Sequence, residues 1–250
     1  MCRFKTIAYA LTLVAATALS AQQADKPSSF DEWRKSRVNT YMNDFAELER
    51  YRSANTALQS VKPEIGRVVF FGDSITDFWK LDEAFPGKPY VNRGISGQTT
   101  PQMLIRFRPD VIDLKPAVVV ILAGTNDIAA NTGPMTIEET EANYASIAEL
   151  ARAHDIKLVF SSILPVHNYT PEAQEFFASR PREKVLALNR WLQDYCAKNG
   201  CVYLDYFSAL TDQKGLLKKE LAEDGLHPNA AGYKIMAPLA EAAIQKALSK

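Results

Sequence analysis

The stretch Val68-Val69-Phe70-Phe71-Gly72-Asp73-Ser74-Ile75-Thr76 changes character in the middle. Four apolar residues in a row read as a short strand buried on both faces. The glycine that follows opens a tight connection into a helix, and that connection carries a hydroxyl, Ser74. Outward from this point the same alternation recurs. Short apolar runs at Tyr90 to Val91, Ala117 to Leu122, Leu158 to Phe160 and Val202 to Leu204 are separated by helical stretches. The helix punctuation is legible: Thr100-Pro101 as N-cap and first helical residue, Thr136-x-x-Glu139 as a capping box, Asn199-Gly200 as a stop. Strands alternating with helices predict an α/β domain with right-handed crossovers and helices on both faces of a parallel sheet. In open sheets of this kind ligands bind outside the carboxyl ends of the strands.

Upstream, Tyr41, Phe45 and Leu48 recur at i, i+4 and i+7 among charged residues, which predicts one amphipathic helix from Phe30 to about Ser60 packed on the core. Residues 22–29 are small and polar with a proline and read as a flexible leader. Ahead of them, Arg3 and Lys5, an uncharged apolar run from Ile7 to Leu19, and small residues at Ser20 and Ala21 have the layout of a secretory signal peptide over residues 1–21. The run is shorter than the about 20 apolar residues a spanning helix needs. The expectation is an exported protein, periplasmic or secreted, without a stable membrane anchor, whose single domain occupies residues 30–250.

Lys plus Arg and Asp plus Glu both number 29, and loss of Arg3 and Lys5 leaves 27 basic residues against 29 acidic ones. Such a chain has no surplus of positive charge to neutralise a polyphosphate, so nucleic acid is not an expected partner. After cleavage Cys196 and Cys201 remain. They read equally as a disulfide in an oxidising compartment or as two small buried thiols.

Four segments carry groups suited to chemistry, each after a predicted strand or before the final helix. Gly72-Asp73-Ser74-Ile75-Thr76 presents a hydroxyl, and differs from a G-x-S-x-G elbow by Thr76. Alone, Ser74 reads as a helix N-cap. Asn92-Arg93-Gly94-Ile95-Ser96-Gly97-Gln98-Thr99 offers backbone amides with two positions free of Cβ, and Gly124-Thr125-Asn126-Asp127 offers the Asn126 amide, both suited to stabilising an oxyanion. Asp224-Gly225-Leu226-His227-Pro228 offers an imidazole with a carboxylate three residues earlier that can curl back to the other ring nitrogen. A weak nucleophile such as a serine hydroxyl needs such a base. Independent turns and caps have no reason to gather on one rim in this combination.

The segments GDSIT, the glycine of ISGQT, GTND and DGLHP resemble, in order, the four sequence blocks of the GDSL or SGNH hydrolases. The resemblance covers residues 67–249. It implies a three-layer α/β/α, flavodoxin-like fold with a five-stranded parallel sheet in the order 2-1-3-4-5, and hydrolysis of esters through an acyl-enzyme with no cofactor. No metal is expected either, because His154 and His167 have no Cys or His partner at ligand spacing. The resemblance further implies Ser74 as nucleophile, Asp224 and His227 as the acid-base pair, and the Ser74 N–H, the Gly97 N–H and the Asn126 side chain as the oxyanion hole. Ile75 stands where the family name has leucine.

For the substrate, the long connection Pro165 to Pro181 carries His167, Asn168, Tyr169, Phe176, Phe177 and Arg180. His167 and Tyr169, with Arg93 and Arg106 beside the oxyanion loop, are candidate substrate contacts; the same residues could be packing or salt bridges. Small and polar residues around the blocks suggest removal of acetyl or other short acyl groups from carbohydrate. The alternative is a lysophospholipase or acyl thioesterase acting on lipid chains. A carbohydrate-binding module without turnover is a third reading, opposed by the intact Ser74, Asp224 and His227.

Overall fold

The computed structural model describes residues 29–62 and 64–250. The expected signal peptide and all but the last residue of the leader lie outside them. The chain opens with α1 (Ser29–Asn43) and α2 (Arg52–Gln59). It then alternates through β1 (Val68–Gly72), α3 (Ser74–Asp77), α4 (Leu81–Ala84), β2 (Tyr90–Gly94), α5 (Thr100–Asp110) and β3 (Val118–Leu122). The second half runs α6 (Thr125–Ile128), α7 (Ile137–Ala153), β4 (Lys157–Ser161), α8 (Ala173–Ala178), α9 (Arg182–Asn199), β5 (Val202–Leu204), α10 (Tyr206–Leu210) and α11 (Ala230–Leu248).

All neighbouring strands pair in parallel, in the order β2-β1-β3-β4-β5, the sheet expected. Side chains of a strand alternate between faces, so β1 feeds two cores. Val68 and Phe70 pack with Trp79, Met236, Ala240 and Ile244 on the side covered by α11. Val69 and Phe71 pack with Met103, Phe107, Tyr144, Ile147 and Leu188 on the side covered by α5, α7 and α9. Gly72 is in register with Gly94 on one side and Leu122 on the other. Strands β2, β1 and β3 therefore end level, and the loops that follow them meet on one rim.

Two local expectations are corrected. Residues 30–60 form two helices, because the Asp44 carboxylate accepts the Leu48 and Glu49 N–H groups (2.9 and 3.0 Å) and turns the chain, with Glu47 at φ +54°. Phe45 and Leu48 are consequently exposed and do not enter the core. The N-cap of α5 is Thr99, not Thr100: Gln102 reaches back to the Thr99 N–H at 3.0 Å, and the Thr100 N–H and hydroxyl are both taken by Asp127. The Thr136–Glu139 capping box and the Gly200 stop, with φ +77°, are as expected. Across that stop Cys196 and Cys201 are joined by a disulfide, their Cα atoms 4.5 Å apart.

The loops on the rim are tied together from beneath by Arg106 on α5, which is fully buried. Its guanidinium donates to the Gly72 carbonyl (2.9 Å) at the end of β1, the Arg93 carbonyl (2.9 Å) near the end of β2, the Gln98 side chain, and Asp110 (2.9 Å) one turn along its own helix. It also lies 4.1 Å from the Phe71 ring centroid. Arg106→Ala takes the charged partner from buried Asp110, which keeps the Asn55 amide (2.6 Å), and a donor from each of two buried carbonyls, so a loss of about 3–5 kcal/mol in unfolding free energy is expected, read as a lowered urea midpoint.

Candidate active site

Ser74 begins α3, whose N-cap is Asp73, accepting the Ile75 N–H at 3.0 Å. Asp73 answers the helix end, so the serine side chain is free to face the rim. Its Oγ lies 2.9 Å from His227 Nε2. His227 comes from the last loop, and its Nδ1 lies 2.6 Å from Asp224 Oδ2.

The D-x-x-H spacing works because one carboxylate does two jobs. Asp224 Oδ1 accepts the Leu226 and His227 N–H groups (3.0 and 2.8 Å), which folds the loop back on itself and delivers the ring to Oδ2. Burial pushes the Asp224 carboxyl up, but the ring N–H, the two backbone N–H groups and the imidazole outweigh it and hold the group down at about 2. Asp224 is thus a carboxylate at neutral pH, as an orienting partner for imidazole needs. The ring is packed between Phe78 and Phe176, with centroids 5.2 and 5.8 Å away. The Tyr233 hydroxyl donates to the Ile75 carbonyl at 2.8 Å and ties α11 to the serine helix.

Ser74, Gly97 and Asn126 line the same cleft. Neither the Ser74 nor the Gly97 N–H has an acceptor among the described residues. The loop carrying Gly97 is fixed to the serine helix by Asp77, which accepts the Ser96 N–H (3.2 Å) and hydroxyl (2.7 Å), and by the Asn131 amide on the Gly97 carbonyl (2.9 Å). Gly97 needs to be glycine twice over. Its φ is +80°, and a Cβ would sit 2.3 and 2.5 Å from Cζ2 and Cη2 of Trp33. Asn126 donates from Nδ2 to the Gln98 carbonyl at 3.0 Å, which uses one of its two amide hydrogens. Arg180 Nη2, 3.3 Å from Asn126 Oδ1, sets which end of the amide faces the cleft. Arg180 is nearly fully buried; desolvation lowers its pKa to about 10, with Asp73 and Asp224 opposing.

Ser74, Gly97, Asn126 and His227 line one cleft of about 270 Å³, walled by Trp33, Phe78, Phe176, Arg180 and Leu226. The structure thus brings Ser74, Asp224, His227, Gly97 and Asn126 together. It does not bring Arg93, Arg106, His167 or Tyr169 into that cleft; Arg106 is the fully buried tie beneath the rim. Arg93, near the end of the edge strand β2, is buried against Asn55 (Nε to Oδ1, 2.8 Å) and over the Tyr51 ring at 4.6 Å, because a buried guanidinium must find partners inside. His167 is fully buried: Nε2 donates to the Ala222 carbonyl (2.8 Å), Nδ1 accepts the Tyr169 N–H (3.2 Å), and its own N–H holds Gly225 (2.9 Å) under the Asp224–His227 loop. The Tyr169 hydroxyl pairs with Asp212. Trp33 and Phe78 escaped the sequence reading. Phe78 had a signal, four residues after Ser74 and so one helical turn on; Trp33 had none.

Residues 70–235 match the model of the GDSL-like lipase/acylhydrolase family. The chain belongs to this family. A GDSL-like lipase from Bacteroides thetaiotaomicron has a similar structure, with a TM-score of 0.74 and 39 % identity over 82 % of this chain and all of that one. Among curated proteins, esterase TesA of Pseudomonas aeruginosa is 36 % identical over 88 residues, 35 % of this chain and 42 % of that protein. An acetylxylan esterase of Geobacillus stearothermophilus is 25 % identical over 204 residues, 68 % of this chain and 90 % of that protein. The chain spans about two fifths of the length of the first two curated relatives it matches, TesA being the second. Membership in the GDSL-like family supports an ester-hydrolase activity.

Two carboxyls beneath the site have shifted titrations. Burial pushes Asp73 up to about 7, against the Ile75 N–H and the His227 and Arg180 charges, and its Oδ2 has no partner among the described residues. Burial likewise pushes Asp127 up to about 6, against the Thr100 hydrogen bonds. A carboxyl with a raised folded-state pKa favours the folded state fully below its ordinary value of about 4 and loses that contribution as pH climbs through the folded value. Stability is expected to fall between about pH 4 and 7. Asp73→Asn, which keeps an oxygen for the Ile75 N–H, should flatten that fall when urea midpoints are measured across the range.

Proposed function

We propose that this protein is a serine ester hydrolase that works through an acyl-enzyme and removes short acyl groups, acetyl above all, from carbohydrate. The observation that carries the reading is the continuous chain from Ser74 Oγ through His227 Nε2 to Asp224, 2.9 and 2.6 Å long, beside unpaired N–H donors in one cleft.

In this mechanism Oγ attacks the ester carbonyl carbon and His227 Nε2 takes its proton. The new oxyanion is held by the Ser74 and Gly97 N–H groups and Asn126 Nδ2, and the imidazolium by Asp224. As the carbon–oxygen bond to the alcohol breaks, Nε2 returns the proton to the leaving oxygen. Water then enters, gives a proton to Nε2 and attacks the acyl carbon; Nε2 returns that proton to Oγ as the acid departs. No step needs a cofactor.

The similarity to an acetylxylan esterase over most of its length supports the acetyl-carbohydrate reading. The second reading, a lysophospholipase or thioesterase on lipid chains, draws support from the apolar walls Trp33, Phe78, Phe176 and Leu226 and from the match to esterase TesA. We also propose export. Its support is the signal-peptide pattern of residues 1–21 and the Cys196–Cys201 disulfide, a bond that persists in oxidising compartments. Among the described residues no helix is long and apolar enough to cross a membrane.

Hydrolysis of p-nitrophenyl acetate, butyrate and octanoate by the mature protein tests the reading. Ser74→Ala should abolish turnover, and Asn126→Ala should lower kcat about 10²- to 10³-fold. A steep fall from acetate to octanoate supports the short-acyl reading, and a rise supports lipid chains. Activity that survives Ser74→Ala refutes the assigned nucleophile.

A further inference from the structure

One wall of the cleft comes from outside the part of the chain that matches the family. Trp33 stands on α1, well ahead of residues 70–235. Its indole lies so close to Gly97 that a single methyl group there would overlap two ring atoms. The segment that follows α1 is tied to the same loop and to α5. Gln98, next to Gly97, donates to the Ala46 carbonyl at 2.8 Å, and Gln102 donates to the Phe45 carbonyl at 2.6 Å. An Arg37–Glu47 ion pair joins α1 to that segment. The wall and the Gly97 donor thus share one mount.

The chemistry divides the cleft. A carbonyl carbon under attack has its oxygen among the N–H donors and its leaving oxygen within hydrogen-bond reach of His227 Nε2, since that nitrogen must reprotonate it. The acyl substituent takes the remaining direction, away from the imidazole. The rings packed on His227 are Phe78 and Phe176; the ring packed on Gly97 is Trp33. We propose that Trp33 is the specificity-determining residue of the acyl side, an indole that limits the acyl group to short chains, while the half-exposed Phe78 faces the alcohol. This rests on the ester-hydrolase reading above and adds which face of the cleft reads which half of the ester.

The test compares wild type, Trp33→Ala, Trp33→Phe and Phe78→Ala on two series: p-nitrophenyl esters from acetate to octanoate, and acetate esters of p-nitrophenol and of xylose. Trp33→Ala should raise the octanoate-to-acetate ratio of kcat/KM by about tenfold or more, the scale of one to a few methylenes in an apolar pocket. Trp33→Phe, which keeps a ring against Gly97, should raise it less, and supplies the ratio if the alanine variant does not fold. Phe78→Ala should change the preference between the two acetates and leave the chain-length ratio within about twofold. An unchanged chain-length ratio in both Trp33 variants overturns the proposal while ester hydrolysis stands. A Trp33 effect confined to the alcohol series also overturns it. Absence of hydrolysis by the wild type on every ester brings down the functional reading, and this proposal with it.

Discussion

The guanidinium of Arg106 is the contact on which the geometry of the site depends. A fully buried charge is tolerated only when its donors are used, and here they are used on the carbonyls that end β1 and β2, on the side chain beside Gly97, and on Asp110. Backbone carbonyls at the ends of parallel strands have no ladder partner beyond the last register pair, so something must satisfy them where the chain leaves the sheet. Arg106 adds a donor to such carbonyls on two strands at once, at Arg93 and at Gly72 beside the Ile95 N–H (3.0 Å). Its demand for acceptors therefore fixes the spacing between the Ser74 turn and the Gly97 loop.

Above that anchor the site is assembled from groups that serve structure and chemistry together. Asp224 folds its own loop and orients the imidazole. Asp77 caps nothing of its own but joins the serine helix to the Gly97 loop through Ser96. Arg180, reaching from the end of α8, orients Asn126. Loss of any one of these disturbs a neighbouring loop as well as a single hydrogen bond, so stability and site geometry are coupled throughout the rim.

The fold was legible because its signals are local and periodic. Five short apolar runs, separated by helices with readable caps, admit few architectures other than a parallel sheet covered on both faces. The core of the site was legible for a related reason, since each of its groups sits in the first residues after a strand or on the loop before the last helix. Where reading failed, a long-range partner decided the outcome. Phe45 and Leu48 have helical spacing, but the Asp44 carboxylate took the amides a continuous helix required. Arg93 and His167 have the chemistry of ligand contacts, but Asn55, Ala222 and Gly225 claimed their polar atoms. Trp33 reads as one more apolar residue of an amphipathic helix until Gly97 is placed beneath it.

The separation of Ser74 from His227 bears on the time course of the chain's assembly. One stands on the first strand-to-helix turn and the other just before the last helix, 153 residues apart, and the Tyr233–Ile75 bond that brings α11 against α3 is as long-range. Every intervening strand must be laid down before the two can meet. A chain emerging from synthesis, or threading through a membrane, therefore carries an isolated serine for most of that passage. The two halves of the charge chain come into register only when the closing helix docks.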